Sequence, residues 1–488
     1  MPESSQIPIL VGVGSVSQRC ENPLEAAEPL VLMERALNLA AEDAGSKALL
    51  ADADSIRIPR GFWGYPNPGR WIGDRIGAKK VRTQVAEVGV LQTTLLGQAA
   101  RDISEGRAQV VLIAGGEAKY RMLREKITGQ SAPITEQPPG ESDEVLRPKL
   151  DLMHPLEIEV ELVMPVRQYS MVENGLRAAE GLSISAHRDE VARIWSAMSE
   201  VASRNPEAWS RTPIPMDAIR DGGAQNPMLA FPYTKLHNSQ WNVDQAAGLI
   251  LCSAEKARAL GIPEERWIYP LAITESNHML PLCEREEIHR CPGFRIAGER
   301  AFELAGRGTE EIEHREIYSC FPSAVRVQAR ELGLDPSDSL TETGGMAFAG
   351  GPLNNFVIQA TAHMATVLRK DRGSTGLVTC VSGILTKQGV TLWSSDPGQH
   401  QFGFEDVTEE VRAVMPPRPL DSKLSGPARV ITYTVLDAEA EAARGVLLCE
   451  MEDGRRSLAV CDDPARSASM TLEEYCGREV ELRAGKLC

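Results

Sequence analysis

Apolar runs and stretches of helical spacing alternate along the first part of the chain. Ile7–Gly14 is apolar and bounded by Pro8 and by Gly12 and Gly14, which predicts a buried strand. Leu24–Gly45 sets Leu30, Met33, Leu37 and Ala40 on one helix face, and Gly45 is a natural C-cap. Asp54–Pro59 predicts a second strand and Trp71–Gly77 a short helix. Val81–Val88 follows as a strand, Val90–Gly106 as a helix, and Gln109–Ala114 as a buried strand ending at Gly115 and Gly116. Strands alternating with helices imply a parallel or mixed sheet covered by helices on both faces.

The same order returns later. Trp267–Glu275 predicts a strand, Gly293–Gly306 a helix, Arg315–Cys320 a strand and Ala324–Leu332 a helix. A glycine-rich stretch, Gly344–Pro352, precedes the helix Asn355–Arg369 and the strand Gly376–Gly383. A glycine-containing turn, a helix and an apolar strand thus occur once in each half, which suggests two similar α/β units.

Between the halves the pattern changes. Met122–Trp209 opens with a polar, proline-rich stretch (Ser131–Pro148), continues with helical spacing, and reads as an insertion over the sheet edge; Asn242–Ser253 then resembles a returning strand. Pro416–Pro419 reads as a linker. Beyond it, Ala428–Leu436, Gly445–Met451, Arg456–Cys461 and Glu479–Arg483 alternate apolar and polar residues, as the strands of a small barrel do. The expected division is 1–120 for the first half, 121–230 for the insertion, 231–262 for the return strand and helix of the first half, 263–415 for the second half and 424–488 for an appended β-domain.

A length of 488 residues suits several such units. The net charge of −16 argues against nucleic acid and anionic membranes as partners, since both need a basic face. The N-terminus has no signal-peptide pattern, and no apolar run is long enough to span a bilayer. The ten cysteines form no CxxC pair and read as free thiols in a reducing compartment, so a cytoplasmic location is expected. No metal-ligand or nucleotide-phosphate motif is present: the glycines at 344, 345, 350 and 351 lack GxGxxG and Walker spacing.

Four stretches carry a family resemblance. Asp102–Ala118 (DISEGRAQVVLIAGGEA) resembles the helix-to-strand passage that follows the nucleophile in thiolases. YSCF at Tyr318–Phe321 resembles the thiolase Asn-Glu-Ala-Phe or His-Asp-Cys-Phe motif, FAGGPLNN at Phe348–Asn355 the Gly-His-Pro loop, and GLVTCVSG at Gly376–Gly383 the strand carrying Cys-x-Gly. Their order and rough spacing match. Pro232–Ser239, Tyr65–Gly77 and the appended domain are similar to type-one thiolase-like proteins with an additional C-terminal domain. The resemblance implies duplicated βαβαβαββ halves in five αβαβα layers, a helical loop insertion and a small C-terminal β-barrel or OB-like domain. It also implies a CoA thioester as ligand, with no bound cofactor or metal, and a homodimer formed through an edge strand. Val81–Val90, apolar at Val81, Val85, Val88 and Val90, is the expected edge, because an exposed strand of this kind needs a cover.

The departures from the thiolase pattern bear on function. Counted from Ile103, the nucleophilic cysteine falls on Gly89, and no cysteine lies between Cys20 and Cys252. The Asn or His of the second motif falls on Tyr318, the loop histidine on Gly351, and the acid/base cysteine on Val381; strand alternation turns the neighbouring Cys380 away. Thioester exchange needs a nucleophile and a base within reach, and Gly, Gly and Val supply neither. Main-chain amides near Gly89 and Gly383 can still form an oxyanion hole, and the helix starting near Val90 presents its positive end there.

Tyr318, Cys320 and Ser382 are the candidate catalytic side chains. Tyr318 competes with a plain core-tyrosine role, Cys320 with that of a small buried hydrophobe, and Ser382 with an ordinary strand serine. Gly89, Gly351, Gly383, Lys235 and His237 are the candidate ligand contacts; Lys235 and His237 share a loop that could meet a CoA phosphate. His154, His237 and His363 have no cysteine or carboxylate at metal or nucleophile spacing and read as surface or structural. Three functions remain open: an acetyl-CoA acetyltransferase of the thiolase type, which the lost side chains disfavour; an acyl-CoA lyase or aldolase using Tyr318; and a non-catalytic acyl-CoA-binding or partner protein.

Overall fold

The computed structural model describes residues 6–149, 153–335, 338–399, 401–437 and 443–488. Two mixed sheets form its centre. The first runs, edge to edge, Pro8–Gln18, Asp244–Ser253, Val110–Ala118, Ser55–Pro59, Arg82–Ala86 and Glu144–Leu146. The second runs His314–Glu316, Thr375–Ser382, Lys387–Ser394, Tyr269–Ser276 and Gly403–Asp406. In each, the strand beside the first one of its half (Asp244–Ser253, Lys387–Ser394) is antiparallel to both neighbours. The halves therefore repeat one topology, as the repeated pattern implied.

Helices Gln92–Ser104 and Phe356–Lys370 touch strands of both sheets and make a middle layer. Pro29–Ala44 covers the outer face of the first sheet and Pro292–Ala305 that of the second, giving five layers. The first strand is buried along most of its length, so it reads as a continuous apolar run rather than an alternation. Helix Pro29–Ala44 lies directly on its backbone: a Cβ at Gly12 would stand 2.2 Å from the Ala40 carbonyl oxygen.

Several expectations need correction. Val110–Ala118 does not end at its glycines but runs through them, because Gly115 and Gly116 admit close neighbours; a Cβ at Gly115 would meet Asn355 Oδ1 at 2.5 Å. The expected strand Arg315–Cys320 is only His314–Glu316, and the chain then leaves the sheet. Lys387–Ser394 was not legible as a strand, since Lys387, Gln388, Thr391 and Ser394 break its apolar pattern although all are buried.

The proline-rich stretch before residue 149 is not only a loop. Its residues Glu144–Leu146 pair in parallel with Arg82–Ala86, so the edge expected to seek a second copy is already hydrogen-bonded within this chain. The appended domain is a closed five-stranded barrel of Gly426–Leu436, Arg444–Met451, Arg456–Cys461, Lys486–Leu487 and Glu479–Arg483. Met228–Ala230 and Tyr233–Thr234 extend this barrel sheet, through Ala230 opposite Leu436, instead of joining the first half. The insertion supplies two long helices, Pro165–Ala179 and Ile184–Arg204.

Candidate functional site

A cavity of about 490 Å³ opens where the two halves, the insertion and the segment 235–242 meet. Gly89, Lys235, Tyr318, Cys320, Gly351, Val381, Ser382 and Gly383 all line it. Seven of the eight candidates, with Val381 beside them, are thus brought together from both halves of the chain. His237 is the exception and is corrected: it is buried beside Thr234, accepts the Thr234 amide at 3.0 Å through Nδ1, and does not reach the wall. Burial lowers its pKa to about 4, so it is a neutral cap of its own turn.

The floor is made of backbone in unusual conformations. Gly89 has φ +100°, and Gly383, Ile384 and Leu385 follow one another at +63°, +54° and +68°. Two consecutive non-glycine residues in the left-handed region are strained and need outside support. Arg285 gives it. This fully buried guanidinium donates to the Leu280, Gly383 and Ile384 carbonyls. Arg285 is held in turn by the barrel, since Arg456 donates to the Arg285 carbonyl and to Glu286 O at 3.0 Å. The C-terminal domain thereby braces a cavity loop.

Neither the Gly89 nor the Gly383 amide donates a hydrogen bond among the described residues, and both residues face the cavity. Side chains would be crowded at Gly89 and Gly351. A Cβ at Gly89 would press on Pro148 Cβ and Cγ at 3.3 Å as well as taking a left-handed backbone; one at Gly351 would meet Ser239 Cβ at 3.0 Å.

Tyr318 is pinned from two sides: its amide donates to Thr379 Oγ1 at 2.8 Å and its carbonyl accepts from Gln328 Nε2 at 2.8 Å. Its ring packs edge-on to Phe356, with centroids 5.7 Å apart. Its hydroxyl has no hydrogen-bond partner among the described residues, and burial pushes its pKa well above the usual 10, so it is neutral at ordinary pH. Cys320 lies beside Tyr169, and burial raises its thiol to about 12, which leaves it unreactive at neutral pH. Cys380 is turned away from the cavity and donates to Gln92 Oε1 at 3.1 Å.

The remaining wall is largely apolar: Met164, Val166, Leu229, Leu236, Phe321, Met346 and Ile384 contribute most of it. Among the described residues the wall contains no carboxylate and no histidine, and Lys235, exposed at the rim, is its one charged residue. Tyr169, Asn238, Ser239 and Asn354 also reach the wall; the last three lie in stretches that carry the resemblance but are not among the candidates from sequence. Tyr169 lies inside the helical insertion, and the other three sit in loops whose path no periodicity reveals. Among the described residues no cluster could hold a metal ion, and no helix is long and apolar enough to cross a membrane.

No family model matches the chain. An acetyl-CoA acetyltransferase of Methanocaldococcus jannaschii is 24% identical over 372 residues, covering 70% of this chain and 87% of its relative. The structure of a monomeric SCP2-thiolase-like protein type 1 from Mycobacterium smegmatis superposes with a TM-score of 0.84 at 25% identity, over the full length of both chains. An Ltp2–ChsH2(DUF35) aldolase matches 80% of this chain and 99% of its own, with a TM-score of 0.58 at 16% identity. An acetyl-CoA acetyltransferase from Syntrophomonas wolfei gives a TM-score of 0.57 at 17% identity, over 80% of this chain and all of its own. With its two repeated halves, middle helix layer and inter-half cavity, the chain is a member of the thiolase-like superfamily.

Proposed function

We propose that this protein binds a CoA thioester in the 490 Å³ cavity without carrying out the acyl exchange of a thiolase. The observation that carries this reading is the pair of glycine amides, Gly89 and Gly383, that have no hydrogen-bond partner among the described residues, in a cavity whose described lining holds no acidic residue. Two free N–H donors in one cavity suit a carbonyl oxygen, and an apolar wall suits an acyl chain. A protein of net charge −16 that keeps carboxylates away from one cavity and sets a lysine at its rim favours a ligand with an anionic end. Exchange is not expected, because the cavity's one thiol, Cys320, stays protonated and has no histidine beside it.

A panel of short, long and ring-containing acyl-CoAs tests this by thermal shift. Saturation at about a hundred times the Kd stabilises the folded state by about 2.7 kcal/mol, which moves the melting temperature by several degrees. No shift with any member at millimolar concentration overturns the reading. Thiolysis of acetoacetyl-CoA that a thiol-alkylating reagent abolishes overturns its second half.

A second reading rests on the Tyr318 hydroxyl. A neutral phenol inside the cavity can carry the proton of a retro-aldol cleavage: as the C–C bond breaks, the Tyr318 O–H gives its proton to the enolate carbon, and the tyrosinate so formed takes the proton of the 3-hydroxyl as that oxygen becomes the carbonyl of the released aldehyde or ketone. Under this reading release of an aldehyde or ketone from a 3-hydroxyacyl-CoA is expected, and Tyr318→Phe should lower its rate at least a hundredfold with little change in KM.

A further inference from the structure

Lys387 is only 6% exposed, and its Nζ donates to the carbonyl of Gly89. No sequence motif pointed to it. It lies on the strand Lys387–Ser394, directly across from Ser382 of the cavity wall. Two residues on, Gly389 shares its strand face, and a Cβ there would meet Thr93 Cγ2 at 2.4 Å. That face of the second half is thus pressed against the first turn of helix Gln92–Ser104, and the lysine reaches from it to the loop just before the helix. The carboxylate that acts electrostatically on the lysine, Glu275, is otherwise engaged: it accepts from Thr93 at 3.1 Å, Thr94 at 2.8 Å and Asn277 at 3.2 Å. No ion pair joins it to Lys387 among the described residues.

A buried ammonium without an ion-pair partner is costly, and desolvation shifts the lysine pKa down. Its position gives that cost a use. Gly89 has no side chain to anchor it and samples a wide range of backbone angles. An amide on so mobile a residue makes a poor oxyanion-hole donor, because such donors work by being fixed before the charge arrives. A hydrogen bond from a rigid strand of the opposite half removes that freedom.

We propose that Lys387 is a positioning residue: its buried ammonium grips the Gly89 carbonyl and so holds the Gly89 amide on the cavity floor for the oxygen of a thioester carbonyl. The inference rests on the thioester-binding reading and deepens it. It assigns recognition of the C=O group, as distinct from the CoA and acyl portions, to a contact between the two halves.

The test compares an acyl-CoA with its thioether analogue, an S-alkyl-CoA of the same length that lacks the carbonyl, by calorimetric titration. The wild-type protein is expected to prefer the thioester by about tenfold, the worth of one good hydrogen bond. Lys387→Met should bind the thioether as the wild type does, lose the preference, and melt no lower, since removing a buried unpaired charge does not destabilise the fold. Lys387→Gln keeps an N–H donor on a neutral side chain and should restore part of the preference; it also decides the matter if the methionine variant fails to fold. A full preference in either the methionine variant or a folded variant unable to reach Gly89, such as Lys387→Ala, overturns the proposal. Equal binding of thioester and thioether by the wild type overturns it while leaving CoA binding intact, and binding of neither by the wild type overturns both.

Discussion

At the scale of single residues, backbone geometry limits what this cavity can do. Because Gly89 is left-handed and pressed by Pro148, a cysteine there needs both a strained φ and a displaced proline. Gly89→Cys is therefore expected to cost about 1–3 kcal/mol, read as a lowered urea midpoint. Adding Val381→Cys and Gly351→His to it should still produce no thiolysis of acetoacetyl-CoA, and measurable turnover by the triple variant would refute this. A second residue-scale expectation concerns Glu117, which is buried near the aromatic pair Phe62 and Trp241 at the cavity mouth. Burial, eased by the Phe62 amide and by Lys119 and worsened by Asp244, raises its pKa from 4.5 to about 7. Between those values the folded chain keeps a proton that the unfolded chain has released. Stability therefore falls as pH rises from about 4.5 to 7 and stays low above it. Glu117→Gln should gain about 2–3 kcal/mol at pH 8 and almost nothing at pH 4.5, in urea melts at the two pH values; an equal effect at both would refute the assignment. The glycines could be placed from motif order alone, because Gly89, Gly351 and Gly383 hold fixed places among the motifs. Lys387 and Arg285 could not: each acts on a carbonyl far away in sequence, and a lysine or arginine in a chain reads as surface until the fold buries it.

At the scale of elements, helix Pro165–Ala179 serves two parts of the molecule. Its start, with Pro165, Val166 and Tyr169, lines the cavity, and its later turns dock the barrel. Asn174, fully buried on it, donates to the Phe231 carbonyl at 3.0 Å and the Tyr433 carbonyl at 2.8 Å, and accepts from Arg177. Ser170 donates to Thr434 at 2.8 Å, and Thr432 donates to the Met171 carbonyl at 2.5 Å. Asn174→Ala removes the amide's bonds to two buried carbonyls, of which Phe231 keeps the Thr434 hydroxyl at 2.9 Å, and leaves a guanidinium N–H without a partner; it is expected to cost about 2–4 kcal/mol. The barrel and the two halves should still unfold in a single transition, since the helix belongs to both. A separate low-temperature transition in calorimetry of the wild type would contradict that. Elements with strong periodicity were legible: Pro29–Ala44 with Gly45 as its left-handed C-cap, and all four main barrel strands, appear within a few residues of expectation. Those read poorly were set by tertiary contact. Glu144–Leu146 lies in a proline-rich stretch with no strand signal of its own and becomes a strand because Arg82–Ala86 offers it an open edge.

At the scale of the whole molecule, that short strand bears on assembly. The family resemblance implies a dimer through the edge strand Val81–Val90, because an exposed apolar edge needs a cover; the alternative is a monomer with that strand inside its own sheet. Val81 and Val85 are indeed buried, but inside their own chain, while Val88 turns to the cavity. The outer edge of Arg82–Ala86 is taken by Glu144–Leu146, so its backbone groups offer little to a second copy. Next to it lies a polar cleft of about 400 Å³, lined by Arg57, Arg82, Arg101, Arg107, Asp102 and Glu144 among others. Arg57, 4% exposed, is ion-paired there with Asp102, which also pairs with Arg107 at 2.7 Å; Arg82 and Glu144 pair at 3.1 Å. Bringing two such faces together would desolvate paired charges against one another, with no apolar core to compensate. A covered edge beside a charged cleft is a way of preventing edge-to-edge association. We therefore expect a monomer: light scattering at micromolar concentration should give a mass near the 53.2 kDa of one chain, unchanged by salt. Removing the cover tests the cause. Val145→Pro cannot make the full ladder with Arg82–Ala86, and should release that edge, raise the apparent mass with concentration and leave acyl-CoA binding in place. A wild-type mass near twice 53.2 kDa would show that the charged cleft is an interface after all, and the edge strand with it.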